Sequence, residues 1–162
     1  MNESEVFMKE KIDDMNDNLK NKINEKDKAK LKYKQKLELI KQHYGVNFDI
    51  TYFKDESIDK IKFSNLEYKK TAKNITVVFD NHIGKFNYLF YDYDSEQMMK
   101  NYNDKKIING LNREKKLKLV VAEIRRLDEE YKRELSSIEE KYQSLSNESN
   151  NELELRKKVE NT

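Results

Sequence analysis

The sequence has no cysteine, no proline and no tryptophan, and only three glycines, Gly45, Gly84 and Gly110. Without cysteine there is no disulfide, no thiolate metal site and no cysteine nucleophile, which suits a reducing compartment. Without proline and with so little glycine, a loop-rich fold is disfavoured and long helices are tolerated. No apolar run approaches the ~20 residues of a membrane span. The first residues, MNESEVFMKEK, lack the basic-then-apolar order of a secretory signal. These absences predict a soluble, cytoplasmic protein with no membrane partner.

Charged residues make up 40% of the 162 and apolar residues 36%, and the mean hydropathy is −1.09. A compact globule of this length buries roughly 70% of its unfolded surface, which this composition supports poorly. Extended helices with one apolar stripe each fit it better. Ten Tyr and seven Phe are more than a disordered chain needs. Of 33 basic residues, 28 are Lys and 5 are Arg, and Asn occurs 18 times. That bias suggests an AT-rich coding sequence, as in a phage or other mobile genetic element of a low-GC bacterium.

The strongest pattern lies in residues 112–145. Leu117, Ile124, Tyr131, Ile138 and Leu145 recur every seventh residue, with Val121, Leu135 and Tyr142 in the alternate row and Asp128 breaking it. This is a coiled-coil heptad, whose narrow stripe needs a partner. Residues 1–45 read as another long helix, with Asn2 and Glu5 or Ser4 capping its start and Gly45 closing it. Met8, Ile12, Met15, Leu19 and Ile23 form one stripe, and Tyr33, Leu37, Ile40 and Tyr44 another. The polar stretch NEKDKAKLK between them reads as a stutter.

Residues 46–94 hold 11 of the 17 aromatics, and the apolar period changes to two. Alternations at Val46–Tyr52, Ile61–Phe63, Ile75–Phe79 and Phe86–Phe90 predict about four antiparallel strands. The second slips a place at Leu66 and Tyr68, which signals a bulge. Asn81 and Gly84 predict a hairpin between the third and fourth. Residues 95–145 read as a short helix, about 96–109, followed by the long heptad helix. Residues 146–162 read as a polar, mobile tail. The expected fold class is therefore α+β: two long coiled-coil-type helices flanking a small antiparallel β-sheet of about four strands, plus a short helix and a mobile C-terminal tail.

Charge is segmented. Residues 1–25 carry net −3, 26–45 net +5, 95–126 net +5 and 127–145 net −3. An antiparallel hairpin within one chain sets like charge against like. Two resolutions follow: the long helices pair between two copies as a homodimer, or the basic zone is left open for an anionic partner.

The sequence offers no catalytic, cofactor-binding or metal site. His43 ends a helix and His82 sits in a turn, and neither has a partner at metal-ligand or nucleophile spacing. Asp92, Asp94 and Glu96 alternate like the start of a calcium loop, but the sixth-position glycine and the twelfth-position glutamate are missing. Gly84 has no glycine-rich phosphate loop around it. An enzyme is kept only as a third reading, with a histidine or carboxylate site completed by a partner, and two function classes lead. The first is a non-enzymatic protein–protein interaction module, an adaptor, assembly factor or small inhibitor. Its contacts would be Tyr88, Tyr91 and Tyr93 on the sheet and Tyr131, Ile138 and Tyr142 on the seam, because Tyr is amphipathic and rigid. The second is a nucleic-acid-binding accessory protein. It would use Lys26, Lys28, Lys30, Lys32, Lys34 and Lys36 with Lys115, Lys116, Lys118, Arg125 and Arg126, contacting phosphates alone. The scarcity of Arg, and a spacing of two that spreads the lysines around a helix, weaken the second.

Overall fold

A computed structural model describes residues 2–68, 73–92, 97–100 and 114–160. In chain order the elements are α1 (Glu3–Tyr44), β1 (Asp49–Tyr52), β2 (Ile58–Tyr68), β3 (Lys73–Asp80), β4 (Lys85–Asp92), β5 (Gln97–Lys100) and α2 (Glu114–Glu160). The fold class is α+β. The chain divides into a helical unit, Met1–Lys36 with Arg126–Thr162, and a mixed unit, Leu37–Arg125.

In the helical unit, α1 starts where expected. The Asn2 side chain accepts the Glu5 amide at 2.8 Å, supplying a partner that the first turn otherwise lacks. The two helical segments run antiparallel. Lys36 bonds Glu130, Glu25 bonds Lys141 and Lys11 bonds Glu152, so advancing along α1 retreats along α2. Tyr33 stacks on Tyr131 with ring centroids 4.8 Å apart and planes 11° from parallel. Ala29, Tyr33, Leu127 and Tyr142 are the buried apolar residues of this unit. Leu127 fills the seam beside the gap expected at Asp128. The aspartate itself turns aside to Lys132 at 3.2 Å.

Three expectations for the chain need correction. First, α2 does not stop at Leu145. It is helical through Glu160, because the segment expected to be a mobile tail finds partners on α1: Glu152 bonds Lys11, and the Arg156 guanidinium lies 5.3 Å from the Phe7 ring centroid. Packing, more than propensity, stabilises such helices. Second, the hairpin's register differs from the one expected. Residues 26–36, net +5, lie against the acidic stretch 127–145, net −3. Like charge therefore does not meet like along this stretch, and the reason for moving the seam between copies falls away. Third, the expected short helix is a strand in its described part. Gln97–Lys100 is β5, paired antiparallel to β4 with Asp92 opposite Gln97 and Leu89 opposite Lys100. An open sheet edge offers a complete row of hydrogen-bond partners, and four residues of weak helical pattern do not compete with it. The remainder of that expected helix lies outside the described residues.

The mixed unit carries one five-stranded antiparallel sheet in the order β1-β2-β3-β4-β5, so each strand pairs with its chain neighbour. The bulge signalled by the slipped alternation is present. Phe63 pairs with Val77 and Leu66 with Ile75, leaving Ser64 and Asn65 opposite Thr76 alone. Because of it, Ile61, Phe63 and Leu66 are all buried although their spacing is not uniformly two. Val77 and Phe79 continue that face on β3, and Leu37 and Ile40 of α1 with Leu117, Val120, Val121 and Ile124 of α2 complete the buried set. Lys41 lies 5.0 Å from the Phe48 ring and Arg125 5.1 Å from the Phe79 ring, so the helix ends in this unit lie against the sheet. Gly45, with φ +62°, ends α1, and the Val46 amide bonds back to the Lys41 carbonyl at 3.2 Å. That is the left-handed C-terminal cap the glycine predicted.

Phe63 has no exposed surface. Phe63→Ala removes a full ring from this core and is expected to cost about 3–5 kcal/mol, read as a lowered midpoint in urea denaturation.

Candidate interaction surface

The ion pairs of the helical unit form a ladder. Glu139 takes both Lys22, at 2.7 Å, and Lys26; Glu130 takes Lys36 at 2.8 Å; Glu25 takes Lys141 at 2.8 Å; Glu134 stands 3.7 Å from Lys32. Lys141 holds the Glu25 carboxyl below its ordinary value, Lys36 does so for Glu130, and Lys22 with Lys26 for Glu139. Glu152 raises Lys11, and Glu25 raises Lys141. Burial, followed by Glu25, raises the Tyr142 hydroxyl.

The ladder accounts for several candidate residues. Lys26, Lys32 and Lys36 are turned to acids of α2, while Lys28, Lys30 and Lys34 stay exposed. Arg126 reaches Glu130 at 3.5 Å. In the mixed unit, Arg125 donates Nε to Asn81 Oδ1 at 2.8 Å and covers Phe79. Lys115 and Lys118 are exposed and Lys116 is half-buried. Within the helical unit, half of the Lys26–Lys36 candidates are thus engaged with acids of α2. On the protein-interaction side, Tyr142 is buried, Tyr131 lies on Tyr33 and Ile138 is half-buried. Tyr131 and Tyr142 serve the pairing of α1 and α2. Tyr88 stands opposite Val77, and Tyr91 opposite Met98, along β4. Tyr93 lies outside the described residues.

The apolar side chains that do reach solvent are others. At one end of the sheet, the turn after β1 and the turn after β3 lie side by side, because the Asn81 amide donates to the Asp59 carbonyl at 3.0 Å. This end exposes Tyr52 at 44%, Phe53 at 48% and Ile83 at 57%. Both turns are held firmly. The Phe53 amide bonds the Ser57 carbonyl at 2.8 Å, and the Glu56 amide bonds the Phe53 carbonyl at 2.9 Å. Asp55 accepts the Ser57 amide at 3.0 Å. Asp80 accepts the amides of His82, at 2.9 Å, and Ile83, at 3.4 Å. Asn81 donates its side-chain amide to the Ile58 carbonyl at 3.1 Å. Glu56 sits at φ +67°, a left-handed position usually left to glycine. The sequence carried a signal for this surface: Phe53 breaks the alternation of β1, and Ile83 occupies a turn where no core can cover it.

The second exposed apolar set lies on α1. Ile12, Leu19 and Ile23 are 54%, 57% and 52% exposed. They were expected to line the helix seam. The seam instead runs through Ala29 and Lys22 to Lys11, about 90° around the helix at 100° per residue. The two apolar stripes of α1 lie only about 30° apart at 100° per residue, and Leu37, eighteen residues on from Leu19, is buried in the mixed unit, so the neighbour and not the stripe's phase decides what is covered.

A depression lined by Ala29, Tyr33, Leu127 and Tyr131 has a cavity volume of about 10 Å³, on the order of one water molecule and far below a small-molecule site. Among the described residues no group of three His, Asp or Glu side chains is placed to hold a metal ion, and no helix is long and apolar enough to cross a membrane. The sequence matches no protein-family model, no curated protein and no solved structure.

Two outcomes are expected from these geometries. Glu56→Gly relieves the left-handed strain and should raise stability by about 1 kcal/mol, seen as a higher melting temperature with the fold unchanged. For the ladder, the folded values of Glu25, Glu130 and Glu139 lie below the ordinary 4.5, so their contribution is present above that value. It is lost as pH falls through the lower folded values. Helicity by circular dichroism should therefore melt at lower temperature near pH 3 than near pH 6. The difference should shrink in high salt, since the pairs are exposed and screened.

Proposed function

We propose that this chain is a non-enzymatic protein-binding module of the cytoplasm, acting as an adaptor, assembly factor or small inhibitor, with its helices paired through a coiled-coil-type seam. One observation carries the reading: Tyr52, Phe53 and Ile83 stand exposed together at one end of a sheet whose turns are pinned by backbone and Asp or Asn hydrogen bonds. Large apolar side chains cost free energy when held in water. A rigid turn that keeps them there loses little conformational entropy when a partner covers them. Aromatic anchors of this kind carry much of the energy of protein interfaces. Tyr88 and Tyr91 of β4, which runs away from the turn that carries Ile83, and Tyr93, outside the described residues, are kept as proposed contacts because Tyr is efficient at interfaces.

Nucleic-acid binding is the weaker reading, because Lys26, Lys32 and Lys36 are turned to acids of α2. The immobilised full-length chain should capture a protein from an extract of cells that express it. The double variant Phe53→Ser, Ile83→Ser should lose that capture by tenfold or more (about 1.4 kcal/mol) while keeping its circular-dichroism spectrum. Capture at undiminished strength would make the sheet end a scaffold only. Bound nucleic acid released by high salt would favour the phosphate-contact reading instead.

A further inference from the structure

The exposed face of α1 has a pattern of its own. Glu5, Ile12, Leu19, Ile23 and Lys30 follow one another at spacings of seven, seven, four and seven. At 100° per residue they fall within about 40° of arc. All five side chains are exposed. The face is thus an apolar strip with an acid at one end and a base at the other. Its acidic end belongs to a segment of net −3 and its basic end to one of net +5.

We propose that this face docks a second copy of the same chain, α1 against α1, antiparallel, about a two-fold axis between Asp17 and Asn18. In that register Ile12 of one copy meets Ile23 of the other, and Glu5 meets Lys30. Symmetry repeats each contact, giving two Ile–Ile layers and two terminal ion pairs. A parallel arrangement would set Glu5 on Glu5 and Lys30 on Lys30, so charge selects the antiparallel one. A two-fold contact of one patch with itself closes on a dimer and leaves no open end to propagate. Asn16, also exposed, falls opposite Leu19 of the other copy. A single polar residue in such a seam disfavours other registers at some cost in affinity. This contact uses neither the intrachain seam nor the sheet end, so it goes beyond the partner-binding reading and stands or falls separately from it.

The test is sedimentation equilibrium of the full chain across micromolar to millimolar concentration, at low salt. A monomer–dimer equilibrium is expected. Leu19→Asp buries a charge at the contact and should weaken dimerisation by at least about tenfold, with helicity unchanged because Leu19 is exposed in the monomer. Lys30→Glu should weaken it several-fold, and the double variant Glu5→Lys, Lys30→Glu should restore it. Three results would overturn the proposal: a monomer throughout the range, a dimer indifferent to Leu19→Asp, or a charge reversal that does not restore the dimer. Loss of dimerisation in Leu19→Asp with partner capture intact, and the converse for the sheet-end variant, separates this proposal from the previous one.

Discussion

The stack of Tyr33 on Tyr131 sets the register of the helical unit, and much of that unit's chemistry follows from it. Two aromatic rings 4.8 Å apart and nearly parallel admit little sliding of one helix along the other. With that point held, the 1.5 Å rise per residue brings Lys36 to Glu130, Lys26 and Lys22 to Glu139, and Lys11 to Glu152. Each of these pairs is at least partly open to solvent and so screened, and none holds the helices together alone. Their shared role is selection: a slip of one helical turn sets the basic run 26–36 against the wrong side chains.

The same anchor decides what α1 leaves in water. Tyr33 and Ala29 face α2, and helical periodicity then places Lys22 and Lys11 on the seam. Ile12, Leu19 and Ile23 are carried around to another face. A seam in which lysine stems and carboxylates alternate with small or aromatic residues is stable because long charged side chains cover apolar surface with their stems. The apolar stripe is thereby released from the intrachain seam. The mixed unit shows a comparable separation. Its sheet buries Ile61, Phe63, Leu66, Val77 and Phe79, yet its two adjoining turns hold Tyr52, Phe53 and Ile83 outward.

Local signals in the sequence were legible where one residue carries the physical cause. Gly45 ended α1 and Asn2 capped it. The Asn81–Gly84 turn joined β3 to β4, with Gly84 at φ +69°. The slip at Leu66 marked the bulge in β2. Signals that depend on an unseen neighbour were not legible. Residues 146–160 look too polar for a helix until Phe7 and Lys11 are beside them. Gln97–Lys100 looks weakly helical until β4 offers an edge. The candidate contact residues divided in the same way. Tyr131, Ile138 and Tyr142 were recognisable as one helical stripe, but that Tyr131 stacks on Tyr33 of the same chain was not.

The sequence by itself determined the α+β class, the antiparallel strands, the caps, and a heptad stripe that needs a partner. These follow from periodicity and from single-residue backbone preferences, which act over a few positions. Only the tertiary structure decided the hairpin register, the fifth strand, the length of α2, and which apolar side chains are covered. Those depend on neighbours that periodicity does not reveal, from β4 beside Gln97–Lys100 to Glu139 beside Lys26. A helical stripe states that something must cover it, but which neighbour covers which part of it depends on what the rest of the chain brings alongside.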